Sequence, residues 1–129
     1  MHYASPKHKR CYRNTLRGKQ YPSQAQAALY LLTADRKLWR RWHLAVSGGR
    51  GIDWEAGRGT DPGWDGTALE KAARCIAGND KKQVTLHDLL DRADYPQELL
   101  RLVVVALIIA RNDPISADAV ILKKGRRTA

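Results

Sequence analysis

The chain has no phenylalanine, one methionine and two cysteines among 129 residues. Without Phe, its interior has to be filled by Leu, Ile, Val, Ala and four Trp. Cys11 and Cys75 lie far apart in sequence, and two such cysteines make no zinc motif, because zinc ligands cluster at short spacings. They read as two free thiols of a cytoplasmic protein. Long apolar runs are also missing. The longest is Leu102–Ala110, nine residues, where crossing a bilayer takes about 20. The basic N-terminus has no apolar stretch behind it, so no secretory signal is expected. No Gly-Lys-Ser/Thr follows a glycine-rich segment, which excludes a P-loop, and no internal repeat is visible. These absences leave a cytoplasmic globular domain without membrane, metal or cofactor.

Acid is missing from one place in particular. Residues 1–50 hold eleven Lys and Arg and a single acid, Asp35. Residues 51–112 hold eight basic and ten acidic side chains, and the remaining seventeen add a small basic excess, so the net +10 of the chain resides in its first fifty residues. Charge segregated in this way repels itself and points to an anionic partner, nucleic acid first.

Helical spacing organises most of the chain. Ser5-Pro6 reads as an N-cap followed by a first-turn proline, and Gly18 is a natural stop. Between them Cys11, Tyr12, Thr15 and Leu16 share one side, and Lys9, Arg10, Arg13 and Arg17 the other. Ser23 with Gln26 reads as a capping box opening a second helix. Thr33 either re-caps a third helix over Ala34–Leu44 or lies within a continuous one. In that segment Arg36, Lys37, Arg40 and Arg41 fall in an arc about 140° wide at 100° per residue. Trp39 and Trp42, flanking Arg40-Arg41, have the look of aromatics interleaved for base stacking, but with Leu38 they lie roughly opposite the arc, so the tryptophans are expected in the core.

Seven of the ten glycines fall within 48–66, a density that predicts a long loop over about 45–66. Thr67 and Glu70 suggest a capping box for a following helix that ends at Gly78-Asn79. Thr85 caps a short helix, Leu86–Ala93, with Leu86, Leu89 and Leu90 inward. Pro96 opens a helix over roughly 96–111 that is apolar on all sides, as befits the centre of a bundle. Ala119–Leu122 reads equally as a turn or a short strand. The predicted organisation is an all-α domain of five or six helices over 1–112, with a basic tail over 113–129.

No constellation for catalysis emerges. His2, His8, His43 and His87 are scattered, with no activating neighbour. Asp53, Glu55, Asp61 and Asp65 collect in the loop without the spacing of a nuclease site. The segments 86–93 with 96–111, and 24–33 with 34–44, have the outline of a helix-turn-helix. The first has too apolar a second helix, and the second too short a turn. Gly49-Arg50-Gly51 and Gly57-Arg58-Gly59 resemble Arg-Gly elements of RNA-binding segments. The expected phosphate-contacting residues are therefore Lys9, Arg10, Arg13, Arg17, Arg36, Lys37, Arg40 and Arg41, with Lys123, Lys124, Arg126 and Arg127 of the tail. The competing expectation is an interaction module docking on an acidic protein, with Trp54 and Trp64 as anchors.

Three stretches carry a resemblance: Ala28-Leu29-Tyr30-Leu31-Leu32-Thr33; the segment with Ala68-Leu69, Ala72-Ala73 and Gly78-Asn79; and Leu89-Leu90-Asp91 followed by Leu99–Arg111. In this order they resemble an uncharacterised family of small helical proteins carried by mobile genetic elements of Gram-positive bacteria. The resemblance covers residues 7–112 and leaves out the tail after Pro114. It implies a bacterial cytoplasmic accessory protein, and a DNA-borne context favours a nucleic-acid or defence-related role. No catalytic residue carries over.

Overall fold

A computed structural model of the chain describes residues 1–47, 51–57, 59 and 61–112. The architecture is all-α, with helices α1 (Pro6–Leu16), α2 (Ser23–Leu32), α3 (Arg36–Trp42), α4 (Gly63–Ile76), α5 (Leu86–Leu89) and α6 (Gln97–Ala110). A 3₁₀ turn, His43–Ala45, follows α3 and leads into two short antiparallel strands, β1 (Val46–Ser47) and β2 (Gly51–Ile52), with Val46 opposite Ile52 and Ser47 opposite Gly51.

The apolar content of α2 explains its position. Ala27, Ala28, Leu29, Tyr30, Leu31 and Leu32 are consecutive and all fully buried, so the helix is enclosed on every side from Ala27 onward. It packs against α4 and α6, which also pack against each other. The apolar α6 buries Leu99, Leu102, Val103, Val105, Ala106 and Ile109 against them, while Leu107 remains 43% exposed. Small residues on α4 (Ala68, Ala72, Ala73) allow the close approach of α2. Burying each leucine of this layer contributes about 1.5–3 kcal/mol before the entropy of ordering it.

The helix boundaries differ from the expected ones where side chains have other partners. Ser23 opens α2 as expected, but Pro22 holds the N-cap position and no side chain caps the helix. The Ser23 hydroxyl instead donates to the Ala110 carbonyl at 3.1 Å, and Gln26 donates to the Tyr21 carbonyl at 2.9 Å. Ser23 therefore satisfies an orphan carbonyl at the end of α6 rather than an orphan amide of its own helix. Thr33 closes α2 by donating to the Leu29 carbonyl at 2.7 Å. The cap of α3 is Asp35, whose carboxylate accepts from the Leu38 amide at 2.9 Å, so this helix is shorter than Ala34–Leu44.

Helix α4 begins at Gly63, inside the glycine-rich stretch expected to exclude helix, and ahead of the expected Thr67–Glu70 box. Gly63, at φ +87°, turns the chain into the helix. Gly66 packs onto Pro62 so closely that a Cβ there would lie 2.6 Å from the proline Cβ. The two glycines are therefore requirements of this helix start. Thr85 and Asp88 do form a capping box, but α5 is a single turn. Leu86 and Leu90 are 83% and 75% exposed, not inward, and Leu89 is half-buried. The nearby core position is taken by Tyr95, whose hydroxyl donates to the Ala68 carbonyl at 2.8 Å. Ala119–Leu122 and the whole tail, including Lys123, Lys124, Arg126 and Arg127, lie outside the described residues.

Candidate nucleic-acid interface

Helix α1 carries half of the basic surface, and a histidine fixes its attachment. Ser5 caps the helix by accepting from the His8 amide at 3.1 Å. The His8 ring is 2% exposed. Its Nδ1 accepts from the Ala4 amide at 2.9 Å, and its Nε2 donates to the Tyr30 carbonyl of α2 at 2.7 Å. Tyr3 and Tyr30 pack against it, with ring centroids 4.8 Å apart for His8 and Tyr30, and Tyr12 packs on both tyrosines. The Tyr30 hydroxyl donates to the His2 carbonyl and so ties down the start of the chain. Burial outweighs the hydrogen bond to Tyr30 and pushes His8 down to about 4, with nearby His2 acting in the same direction. His8 is thus a neutral structural pin. Nothing in its scattered sequence position signalled this, because only the fold brings Tyr30 to it.

Tyr12 is buried against Tyr30 of α2 and Leu16 is half-buried, while another flank of α1 meets Trp39 of α3. A shallow groove of about 480 Å³ runs there, lined by Lys7, Arg10, Cys11, Asn14, Thr15 and Trp39. Lys7, Cys11 and Asn14 follow helical spacing, with Arg10 alongside. Of the expected arc on α1, only Arg10 lines this groove. Lys9, Arg13 and Arg17 are exposed elsewhere on the helix, and Lys7, outside the expected arc, lines it. Burial pushes the Cys11 thiol up from its ordinary range, against a smaller opposing effect of Thr15, so it is not an activated nucleophile.

Trp39 is the side chain that joins the two basic helices. Trp42 is fully buried, as expected, whereas Trp39 is half-buried at the groove. Arg36 and His43, three before and four after it, share its side of the helix, and the His43 ring lies 6.3 Å from the indole. Arg36 and Lys37 also border a second depression with Asp35, Pro62, Trp64 and Asp65. Among the described residues, Lys7, Lys9, Arg10, Arg13, Arg17, Arg36, Lys37 and Arg40 form no ion pair, and all eight are exposed.

Arg41 departs from its expected role. Its Nε donates to Glu70 at 3.0 Å, and its guanidinium lies 5.5 Å from the Trp42 ring. The same carboxylate oxygen accepts from the Trp42 indole at 2.7 Å, and Arg74 approaches the other oxygen at 3.7 Å. Arg74 in turn lies over both Trp42 and Trp54, at 5.2 Å from each ring. The Trp42 and Trp54 rings meet edge to face at 5.1 Å. Trp54 is therefore packed into the interior side of the loop and is not a free anchor. Thr67, three residues earlier, gives Glu70 the spacing of a capping-box partner. The partners that claim it lie 28 and 29 positions away.

Trp64 is 91% exposed, as an anchor would be. It borders a cavity of about 430 Å³ between the start of α4 and the segment through Tyr95, lined also by Asp61, Asp65, Lys71, Asp88 and Asp94. This lining is opposite in sign to what an acidic partner requires. Asp53 and Asp61 accept backbone amides two residues on, from Glu55 and Gly63, and so build turns. Among the described residues, no group of three or more His, Cys, Asp or Glu is placed to hold a metal ion. Both cysteines are free, and among the described residues no helix is long and apolar enough to cross a membrane. Arg50 and Arg58 of the Arg-Gly elements lie outside the described residues.

No family model, no curated protein and no solved structure matches the chain.

Proposed function

We propose that this chain is a non-enzymatic nucleic-acid-binding protein that contacts phosphates through the exposed cations of α1 and α3. The observation that carries the reading is the combination of charge and pairing. Nine cations of the first fifty residues, the eight named above and Lys19, are exposed without an ion pair among the described residues, and Lys7 and Arg10 face Trp39 across one groove. Two of the protein's other arginines, Arg41 and Arg74, are engaged with Glu70, so the chain has a carboxylate where arginine serves structure. Exposed cations without such partners raise the local concentration of a polyanion and offer it phosphate contacts. The resemblance to a family carried by mobile genetic elements fits an accessory role of this kind in a bacterial cytoplasm.

Binding to duplex DNA and to RNA across a salt series tests the reading. Phosphate contacts give a log–log slope of about −0.9 per neutralised phosphate on B-DNA. Absence of binding at low salt, or a flat slope, would overturn it.

A second reading is favoured by one observation, the 91% exposure of Trp64 beside an acid-lined cavity. It is a protein-interaction surface, and the sign of its lining selects a basic rather than an acidic partner. Retention of a basic protein after nuclease treatment, abolished in Trp64→Ala, is the outcome that supports it.

A further inference from the structure

We infer that the groove between α1 and α3 takes a single strand of nucleic acid, with Trp39 as the platform on which one base stacks. This inference rests on the nucleic-acid reading above and adds the form of the ligand.

The geometry of α3 argues against duplex reading. Its seven residues span about 10 Å at 1.5 Å rise per residue. Leu38 and Trp42 are buried, and Arg41 is held by Glu70. The remaining exposed side chains, Arg36, Lys37 and Arg40, are all cations. They suit phosphate and leave little of the varied donor and acceptor chemistry that reading a major groove uses.

The groove offers what a single strand needs. A single strand exposes base faces that a duplex keeps stacked, and proteins that bind it combine a cationic track with aromatic side chains. Here Lys7 and Arg10 form one edge, with Trp39 opposite them. Trp39 packs against the core on one side and beside His43 on the same helix face. Its indole is consequently held in place before any ligand arrives, which reduces the ordering cost of binding. Arg36, three residues before it, shares its side of α3 without lining the groove. The groove's other polar groups have uneven freedom. The Thr15 hydroxyl is committed to the Cys11 carbonyl at 2.8 Å, whereas the Asn14 side chain is exposed at the rim. Such a site holds backbone and stacks a base without selecting its identity.

The experiment compares three probes of equal length with the full chain at one low salt concentration: oligo(dT), the same backbone with abasic sites, and a duplex. The expected result is tightest binding to oligo(dT), with about tenfold weaker binding to the abasic strand, since the phosphates are retained and stacking is removed. Trp39→Phe should retain the preference for oligo(dT) over the abasic strand, and Trp39→Ala, checked for folding by circular dichroism, should abolish it. Equal affinity for oligo(dT) and the abasic strand, or tighter binding to the duplex, overturns the single-strand inference and leaves the nucleic-acid reading standing. Failure of all three probes to bind overturns both.

Discussion

Arginine and tryptophan come together twice in this molecule, with opposite consequences. Around Glu70, Arg41 and Arg74 lie against Trp42 and Trp54, and one carboxylate accepts from a guanidinium and an indole. Across the α1–α3 groove, Lys7 and Arg10 face Trp39, and among the described residues no acid lines the groove in Glu70's place. The first cluster is closed and fastens α3 and the loop to α4. The second is open on one side. A single carboxylate thus decides whether the same residue types serve as internal structure or remain available to an anion from outside.

Removing that carboxylate should give the largest effect. Glu70→Ala leaves the Trp42 indole without its acceptor and two partly buried guanidiniums without their counter-charge. Because the Arg41 and Glu70 side chains keep 27% and 16% of their exposure, solvent offsets part of the effect, and a cost of about 2–3 kcal/mol is expected in urea unfolding. A change under about 0.5 kcal/mol, the range of an ordinary surface substitution, would show that the closed cluster is not what holds α3.

Acid should act on the attachment of α1 next. The His8 pKa is lowered from 6.5 to about 4 in the folded chain, so folding favours neutral imidazole. The stability this contributes is complete above pH 6.5 and declines as pH falls from 6.5 through 4. At pH 5 the decline amounts to about 2 kcal/mol. Unfolding of the wild type at pH 7 and pH 5, repeated with His8→Gln, isolates the contribution. An unchanged pH dependence in the variant would remove His8 as its source.

Opening the comparison from the other side should leave stability nearly untouched. The double substitution Lys7→Ala with Arg10→Ala removes exposed cations that lack ion pairs among the described residues, and unfolding free energy should stay within about 0.5 kcal/mol. Its effect belongs to binding. Trp64→Ala should have the smallest effect of all, with a melting temperature and nucleic-acid affinity indistinguishable from wild type. A marked drop in either would place this exposed indole in the fold or in the interface.

Local chemistry made much of the fold legible. Ser5-Pro6 fixes the start of α1, the apolar pattern of Leu99–Ile109 places α6 in the core, and Thr85 caps α5. What the sequence hid depends on distant partners. Ser23 resembled a cap until α6 ended beside it, and Glu70 resembled one until α3 brought Arg41 and Trp42 to it. The glycines at 63 and 66 read as helix breakers because their counterpart, the close packing on Pro62, is a property of three dimensions. In the candidate site the cations of α1 and α3 were visible as a charge pattern. The half-exposed Trp39 and the participation of Lys7 were not, since both depend on how two helices that barely neighbour each other in sequence come to share a groove.

If the groove cations meet phosphates, their removal must change the salt dependence of binding. Measured on single-stranded oligonucleotide, the Lys7→Ala/Arg10→Ala protein should show a log–log slope shallower than wild type by about 1.4, at about 0.7 for each phosphate that the variant no longer neutralises. Identical slopes and affinities for the two proteins would mean that Lys7 and Arg10 meet no phosphate.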